Sequence, residues 1–370
     1  MYIKSLKLQN FRNYADESFA FDPAVNLICG ENGQGKTNLL EAAAACSTMR
    51  LFRTAQKKEG LRFGENHAFI FADFLAQERD ISLELRFSRT KAMEIYKNGV
   101  RQKRQSDAQG LLKTVLFCPE DLMLVRAGAP ARRRFLDTAL CQMRPNYARY
   151  LEEYNRLHEH KTRILRDSEE KPSLLSMWED FSLRMAHIGA QIIRYRAYYC
   201  RKLLKAAAAV YADIAPHEVL SGVYKTVSSV TDPFADARTI EKQLIDHVFS
   251  HKTAEIAAKS CLSGPHKDDL ELLLDGRSAA SFGSQGQVRT CTLSLKLAER
   301  ELFFDEDGEY PVLLLDDVLS ELDRRRQDFV LNRISAGQVM ITCCEDGISE
   351  KLRAGAVFHI QNGEKSAETH

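Results

Sequence analysis

The sequence predicts an α/β fold that is interrupted by a long helical segment, and three observations lead to this prediction. The apolar run Val25–Cys29 leads directly into a glycine-rich loop, as a buried strand does before a helix. The apolar run Val312–Leu315 ends in two aspartates. Residues 145–210 instead repeat apolar side chains at three- and four-residue steps, the period of an α-helix. Apolar runs without polar alternation indicate strands buried on both faces, which are typical of α/β sheets.

The N-terminal part alternates polar and apolar residues, which indicates antiparallel strands. A first strand is predicted over residues 3–8, and residues 81–87 alternate strictly between the two classes. Asn98 and Gly99 form the residue pair that favours a type I′ turn, so a hairpin is predicted there.

The middle of the chain is predicted to form two long helices that pack against each other. The first extends from about Pro145 to Arg166. The second is predicted to be capped by Ser173 and to continue to about Val210, on the order of 50 Å at 1.5 Å per residue. The side chains predicted to line the seam of the second helix are Phe181, Met185, Ile188, Ile192, Tyr195 and Tyr199.

These patterns divide the chain into three segments. Residues 1–120 and 255–370 are predicted to form one α/β head, because β/α patterns occur in both. Residues 121–254 are predicted to form a helical arm that is inserted into this head.

Composition limits the functional classes. The 370 residues include 52 lysines and arginines against 51 acidic residues, so a uniformly basic nucleic-acid coat is excluded. The apolar runs are far shorter than the roughly 20 residues of a membrane-spanning helix, so no membrane association is expected. The nine cysteines lack zinc-site spacing, and a reducing cytoplasm is the expected location.

Basic residues are nevertheless concentrated locally. Such a cluster is more often a solvated face than a DNA site, and both interpretations stay open for each one. The clusters lie at 50–58, 86–104, 132–134 and 194–205.

The glycine-rich loop has the spacing of a phosphate-binding loop, G-x-x-x-x-G-K-T. Its backbone N–H groups and the start of the following helix suit phosphate oxygens. Lys36 would reach the β- and γ-phosphates, and the Thr37 hydroxyl would bind Mg²⁺. The alternative is an ordinary glycine turn before a helix. The predicted ATP-binding residues are Gly30, Glu31, Asn32, Gly33, Gln34, Gly35, Lys36 and Thr37.

The two aspartates after Val312–Leu315 have predicted roles in the same site. Because a buried parallel strand ends where α/β sheets bind ligands, Asp316 is predicted to hold Mg²⁺ together with Thr37. Asp317 is predicted to orient or deprotonate the attacking water. Alone, the pair could equally begin a turn.

Ser284 precedes a long amphipathic helix, and its residue type first indicates a helix cap. Together with the phosphate-binding loop, the acidic pair and residues 320–323 (Ser-Glu-Leu-Asp), however, the order of motifs resembles that of the ATP-binding-cassette ATPases. The resemblance implies that the signature Ser284 and Gly286 of one subunit close on the γ-phosphate bound by a second subunit. It places Asp323 at the same dimer seam.

Further motifs are similar to those of the RecF family of bacterial recombination-mediator ATPases. They span nearly the whole chain: residues 11–14 (Phe-Arg-Asn-Tyr), 119–122 (Pro-Glu-Asp-Leu), 132–137, 264–270 and 284–290. For the site, the resemblance implies that Arg12 and Gln287 also contact nucleotide and that Lys36, Ser284 and Asp317 serve catalysis.

The same resemblance implies a function. It predicts a weak, DNA-stimulated ATPase of DNA replication, recombinational repair and the SOS response. ATP would drive a homodimer onto double-stranded DNA and single-strand/double-strand junctions without sequence specificity. The expected protein partners are RecR, RecO and RecA, the last being loaded at single-stranded gaps.

Some residues depart from related patterns. Lys267 stands where the RecF family usually has arginine, and Thr342 stands where transporters have a switch histidine. No glutamine can be assigned unambiguously to a Q-loop. An ATPase subunit coupled to another partner, for transport or chromosome organisation, is the alternative. The sequence separation of Gly30 from Ser284 disfavours it, being too long for a transporter cassette and too short for an SMC coiled coil.

Overall fold

A computed structural model describes residues 1–54, 56–343 and 355–366. Within these residues the strands are β1 (Tyr2–Phe11), β2 (Tyr14–Ala20), β3 (Val25–Cys29), β4 (His67–Ala76), β5 (Arg79–Ser88), β6 (Glu94–Lys97), β7 (Val100–Arg101), β8 (Thr114–Phe117), β9 (Leu220–Lys225), β10 (Asp269–Leu274), β11 (Arg277–Ser278), β12 (Val312–Leu315), β13 (Val339–Cys343), β14 (Ala356–Gln361) and β15 (Glu364–Lys365). The helices are α1 (Lys36–Thr48), α2 (Ala129–Met143), α3 (Pro145–Asp167), α4 (Trp178–Ile214), α5 (Ala237–Ser250), α6 (Lys252–Ala258), α7 (Ala279–Phe282), α8 (Gln285–Asp307) and α9 (Arg324–Arg333).

A mainly parallel sheet carries the apolar strands that the sequence predicts. Its order is β15-β14-β3-β13-β12-β8, and every pair from β14 to β8 is parallel, whereas β15 is antiparallel to β14. All four side chains of β12 are buried, as continuous apolar sequence predicts. The predicted α/β class is therefore confirmed, and the carboxyl ends of β3, β13, β12 and β8 lie at one edge of the sheet.

The N-terminal strands form an antiparallel sheet in the order β2-β1-β4-β5-β6-β7. The hairpin between β6 and β7 turns at Asn98 and Gly99, whose φ values are 49° and 77°, so the predicted turn is confirmed. Helix α1 is apolar on nearly every side because it packs between elements of both sheets. Its Leu39 and Leu40 belong to one buried cluster with Ile70 of β4 and Leu314 of β12.

The chain forms two compact units. The first consists of residues Met1–Met123 together with the chain from Thr292 onward, and the second is Leu124–Cys291. The boundaries between the compact units therefore lie after Met123 and after Cys291. The division into head and arm at residues 120 and 254 stays a prediction. A third sheet, ordered β11-β10-β9, lies in the second unit.

Helices α3 and α4 pack along each other in the second unit, as the seam predicts. Met185, Ile188 and Ile192 of the seam are buried. The predicted cap is wrong, because Ser173 lies inside a 3₁₀ helix, Pro172–Met177, and α4 begins only at Trp178. With 37 residues, α4 is about 55 Å long.

A buried charge network joins the middle of α4 to α2 and to the segment before β10. Arg196 of α4 donates to Asp137 at 2.9 and 3.0 Å, to Asp268 at 3.3 Å and to the Pro265 carbonyl at 2.7 Å. Burial raises the pKa of Asp268 to about 6, and the Arg196 charge opposes this shift. Removing one member would leave an uncompensated buried charge, which typically costs about 3–5 kcal/mol. Part of the basic cluster at 194–205 is therefore structural.

The arginines at 132–134 also have structural partners. Arg132 forms a bidentate ion pair with Asp269 at 2.7 and 2.8 Å, and Arg133 donates to the Asp268 carbonyl at 2.6 Å. These contacts join the start of α2 to Asp268 and to Asp269, the first residue of β10.

In the described part of the chain, no helix combines the length and apolarity needed to cross a bilayer. The cysteines of that part form no disulfide with one another.

Candidate nucleotide-binding site

The glycine loop joins β3 to α1 at the carboxyl edge of the parallel sheet. Gly30 and Gly35 have φ values of 147° and 122°, a backbone conformation that residues with a side chain rarely adopt. A Cβ at Gly30 would lie 2.4 Å from the Ile360 carbonyl oxygen, and one at Gly35 would lie 2.6 Å from the Asn13 amide. Both positions therefore require glycine, which an ordinary turn before a helix would not demand so strictly. Glu31, Asn32 and Gly33 form the exposed part of the loop.

Two segments distant in sequence hold this loop from outside. The Asn13 side chain donates to the Gln34 carbonyl at 2.8 Å, and the Tyr14 hydroxyl donates to the Gly35 carbonyl at 3.0 Å. From the turn after β14, the backbone N–H of Gly363 donates to the Gln34 carbonyl at 2.9 Å. Sequence reasoning assigned no site role to Asn13 or Tyr14, although both belong to the Phe-Arg-Asn-Tyr motif.

Lys36 lies inside the loop, with 4% of its surface exposed. Its ammonium group donates to the carbonyls of Gly30 at 2.6 Å and Glu31 at 3.1 Å. The first residue of α1 thus carries a buried positive charge directly beneath the loop that would surround a phosphate.

Arg12 contacts the first turns of α1 instead of extending into the loop. Its guanidinium binds the fully buried carboxylate of Glu41 through two hydrogen bonds of 2.7 and 3.1 Å. The backbone N–H of Arg53 also donates to Glu41, at 3.1 Å. Because a buried carboxylate needs such partners, the ion pair accounts for Arg12 structurally, and its predicted contact with nucleotide stays a prediction.

The acidic pair lies beside the loop because β12, β13 and β3 are neighbours in parallel register. The Thr37 hydroxyl donates to Asp316 Oδ1 at 2.9 Å. The Thr342 hydroxyl lies 3.0 Å from Asp316 Oδ1 and 3.3 Å from Asp317 Oδ1, and it accepts the Asp317 backbone N–H at 2.8 Å. The start of α1, the end of β12 and the end of β13 thus contribute to one polar cluster.

The electrostatics of Asp316 suit a cation. Burial raises the pKa of its carboxyl, the hydroxyls of Thr37 and Thr342 lower it, and Asp317 and Glu120 raise it. A cation beside Asp316 and Thr37 would offset both the burial and the like charges. In the described residues no group of three or more His, Cys, Asp and Glu side chains is arranged for a metal. This donor set fits Mg²⁺, which usually takes one or two protein oxygens and completes its shell with phosphate and water.

Asp317 has a left-handed backbone with φ 49°. Outside glycine this conformation is uncommon, and here the Thr342 hydroxyl and the Ser320 hydroxyl hold it from two sides. Ser320 donates to the Asp317 carbonyl at 2.6 Å. Asp323, three residues farther on, caps α9 by accepting the Arg326 N–H at 3.0 Å. This capping accounts for Asp323 within one chain, and its role at a dimer seam stays a prediction.

The predicted signature forms a reciprocal cap at the start of α8, in the second compact unit. The Gln287 N–H donates to the Ser284 hydroxyl at 3.2 Å, and the Ser284 N–H donates to Gln287 Oε1 at 2.8 Å. Gln287 also donates to Glu218 at 3.0 Å. The capping prediction is therefore confirmed. The roles of Ser284, Gly286 and Gln287 toward a nucleotide stay predictions.

A buried charge cluster lies in the first unit, where the segment after β8 meets α8. The Lys296 ammonium lies 3.6 Å from both Asp121 and Glu299, and Asp121 accepts the Cys118 N–H at 3.1 Å. Burial raises the pKa of Glu299 to about 7. The cluster fixes the segment that carries Glu120. The negative charge of Glu120, like that of Asp317, raises the pKa of Asp316.

Comparison with known proteins places this geometry in a family. The family model "RecF/RecN/SMC N terminal domain" matches residues 2–366. The DNA replication and repair protein RecF of Bacillus cytotoxicus is 37% identical over 373 residues, which cover 100% of this chain and 99% of that protein. RecF of Acetivibrio thermocellus is 33% identical over 361 residues, 98% of each chain. The chain belongs to the RecF family.

Solved structures agree with this assignment. A structure of "the recombination mediator protein RecF-ATP in RecFOR pathway" matches with a TM-score of 0.91 at 31% identity, covering 99% of this chain and 98% of that one. The Smc head domain of Pyrococcus furiosus matches with a TM-score of 0.55 at 14% identity, covering 99% and 95%. The second match shows a shared fold alone. Both matches confirm the predicted ATPase-head fold, and the match to the RecF structure also confirms the RecF resemblance.

The burial of residues 267 and 268 bears on one departure from the RecF family pattern. Lys267, which replaces the usual arginine, is exposed, whereas its neighbour Asp268 is fully buried in the Arg196 network. The motif at 264–270 therefore has a clear packing role that does not depend on the identity of residue 267.

Proposed function

We propose that the protein is an ATP-dependent DNA-binding protein of DNA replication and recombinational repair, and that ATP drives its dimerisation on DNA. The observation that carries this proposal is the cluster of Thr37, Asp316, Asp317 and Thr342 beside the glycine loop. Together with the Lys36 ammonium group, this cluster would present one positive charge, two hydroxyls and two carboxylates to the terminal phosphates of a nucleotide.

Lys36 would bind the β- and γ-phosphate oxygens. In the loop its ammonium group already lies against two backbone carbonyls, which are weaker acceptors than phosphate. Nucleotide would therefore exchange these neutral contacts for charged ones, while the N–H groups of residues 33–37 bind the remaining oxygens.

Thr37 and Asp316 would hold Mg²⁺. When bound, Mg²⁺ would neutralise phosphate charge and orient the γ-phosphoryl group. The chain's own contribution is the rigid placement of the two ligands, because the 2.9 Å hydrogen bond fixes the distance between their oxygens.

Asp317 would orient the attacking water and accept its proton. It lies next to the metal ligand in sequence, yet its left-handed backbone turns its carboxylate away from a strand-like direction. Thr342 maintains this direction by accepting the Asp317 N–H. Thr342 is therefore a positioning residue, and it occupies the place in the sheet from which transporters supply a histidine.

Hydrolysis would require a second copy of the chain. The Ser284 hydroxyl and Gly286 lie at the start of α8, whose N–H groups would favour a γ-phosphate bound by the partner. Asp323 and the neighbouring residues 320–322 would lie at the same seam. A slow ATPase that DNA stimulates would then act as a switch: ATP closes the dimer, and hydrolysis opens it.

DNA and the other recombination proteins are the proposed partners. Relatives at 33–37% identity are named DNA replication and repair protein RecF, and a similar solved structure is described as a mediator in the RecFOR pathway. We extend this to RecR, RecO and RecA as partners, and to double-stranded DNA with single-strand/double-strand junctions as ligand. A cytoplasmic location stays a prediction from the cysteine content.

The basic residues at 50–58 and 86–104 are the proposed DNA contacts in the first unit. Ion pairs within the chain neutralise part of the positive charge of residues 86–104, since Arg86 binds Glu84 at 2.5 Å and Arg101 binds Glu94 at 2.7 Å. Lys103 and Arg104 are exposed and retain the charge that phosphate would attract.

The experiment that tests the proposal is size-exclusion chromatography with ATP, ADP or no nucleotide, each with and without duplex DNA. We expect a dimer with ATP, a monomer with ADP, and a larger complex with ATP and DNA. Lys36→Ala is the matched control and should stay monomeric throughout. An ATP-dependent dimer that ignores DNA would instead indicate a nucleotide-regulated scaffold, and a monomer under every condition would contradict the proposal.

A further inference from the structure

One aromatic side chain is displayed completely to solvent on the first compact unit. Phe63 has a relative exposure of 102%, the highest among the exposed large apolar residues that the structure describes, and Phe282 follows at 74%. Single exposed apolar residues are common and need no explanation. What sets Phe63 apart is the way in which the backbone around it is fixed.

Phe63 occupies the second position of a tight turn formed by residues 62–65. The Glu65 N–H donates to the Arg62 carbonyl at 3.0 Å. Gly64 takes the third position with φ 87°, which is the conformation that a type II turn requires there. The turn therefore directs the ring outward by its own geometry.

Both ends of this turn are anchored to the antiparallel sheet. On one side, the Arg62 N–H donates to the Asn10 carbonyl at 2.8 Å. On the other side, Arg89, which directly follows β5, donates its backbone N–H to the Asn66 carbonyl and its guanidinium N–H to the Glu65 carbonyl, both at 3.0 Å. Displaying a large apolar ring on an anchored turn costs hydration free energy without a compensating contact in the monomer, which points to an external partner.

The surroundings of the turn are rich in positive charge. Arg62 precedes the ring, and the Arg89 guanidinium reaches the turn itself. The 3₁₀ helix Lys57–Gly60 leads into the turn, with Lys58 exposed. Burial and the nearby charge of Arg50 both lower the pKa of Lys57, so Lys57 and Arg50 lie close enough to repel each other. Glu59 and Glu65 offset only part of this charge, and a polyanion would relieve the repulsion.

We infer that Phe63 stacks against an unpaired nucleobase of DNA while Arg62, Lys58 and Arg89 bind the adjacent phosphates. Aromatic rings among cations are the usual device for holding single strands, because every base has a π face. A base within a duplex has both faces covered, so this contact would select unpaired positions. The inference rests on the proposed DNA-binding function and deepens it, since it names the residue that distinguishes a single-stranded gap from intact duplex.

The substitution Phe63→Trp introduces a fluorescent probe at the proposed site. The chain has a single tryptophan, Trp178, which is fully buried in the second unit and whose indole donates to Glu255 at 3.0 Å. A tryptophan at position 63 would be exposed, and its emission would be quenched by stacking on a base. The ligands are a closed circular duplex and the same circle with one single-stranded gap, since neither has free ends, and ATP is present throughout.

We expect saturable quenching of Phe63→Trp by gapped circles and little quenching by closed circles. Phe63→Ala should bind gapped circles about 5- to 100-fold more weakly, the range for losing one base–aromatic stack, and closed circles unchanged. Phe282→Ala is the matched control, because it also removes an exposed phenylalanine.

The outcomes separate this inference from the proposed function. If the unmodified protein binds neither circle, the proposed DNA binding itself fails. If it binds the circles but Phe63→Ala binds both normally and Phe63→Trp is not quenched, the stacking inference is wrong. Loss of ATP-driven dimerisation by Phe63→Ala with normal DNA binding would also overturn it, by assigning the ring to a contact between copies.

Discussion

Thr342→Val tests whether the hydroxyl at the end of β13 positions the acidic pair. The two side chains are nearly equal in size, and Thr342 is 2% exposed, so the substitution mainly removes one oxygen. That oxygen accepts the Asp317 N–H at 2.8 Å and contacts Asp316 Oδ1 at 3.0 Å.

The expected magnitudes follow from these contacts. An N–H group left without its partner in a partly buried site costs about 1–3 kcal/mol. The left-handed backbone of Asp317 is itself unfavourable by about 1–2 kcal/mol, so it should relax once this hydrogen bond is lost. A displaced Asp317 would no longer orient water, and kcat should fall by about 10- to 100-fold because positioned acid–base groups typically contribute 10²–10⁴. The KM for ATP should change little, since Lys36 and the loop are untouched.

The assay is steady-state ATP hydrolysis with DNA, combined with thermal unfolding and titration of Mg²⁺. Thr342→Ser keeps the hydroxyl and is the matched control; it should retain most of kcat. A loss of kcat in Thr342→Ser together with full kcat in Thr342→Val would show that the methyl group, and so packing, is what matters. A Thr342→Val protein with unchanged kcat would refute the positioning role.

Four further predictions concern the nucleotide-binding residues, the signature serine and one buried carboxylate. Lys36→Ala should abolish ATP-driven dimerisation at an unchanged melting temperature; a normal dimer would disprove the assignment. Asp317→Asn should slow hydrolysis by about a hundredfold or more and prolong the ATP-bound dimer, whereas a loss of nucleotide affinity would make it a metal ligand. Mixing Ser284→Arg with Lys36→Ala should restore part of the ATPase activity that each lacks, because one composite site is intact; no recovery at any ratio would place Ser284 within its own chain. Glu299 has a folded-state pKa of about 7, raised above the ordinary 4.5, so its contribution to stability falls as pH rises through that interval. Glu299→Gln should therefore gain stability relative to the unmodified protein between about pH 4.5 and 7, by about 1–3 kcal/mol in urea unfolding, and a difference independent of pH would contradict this.

The parts of the site encoded by neighbouring residues could be predicted from sequence. The strand Val25–Cys29 has the predicted bounds, and the glycine loop after it leads into a helix as predicted, because apolar runs, glycines and caps act locally. The same holds for Asn98-Gly99 and for Ser284, whose cap partner is only three residues away.

Features that depend on pairing across the chain could not be predicted. Thr342 meets Asp317 only because β13 lies next to β12 in a particular register. Arg132 lies closer in sequence to Asp137 than to Asp269, yet it binds Asp269, since Asp137 is already occupied by Arg196. Ser173 has the residue type of a cap, but Pro172 begins a 3₁₀ helix there and displaces the start of α4.

The position of β3 within its sheet has a consequence for the newly synthesised chain. Both neighbours of β3, namely β13 and β14, come from the C-terminal end of the sequence, and the turn after β14 also bonds to Gln34 in the glycine loop. A nascent chain therefore carries its phosphate-binding loop on an unpaired strand until nearly the whole protein has left the ribosome. Messages that end prematurely should yield products that cannot retain ATP, even though every residue of the loop is present.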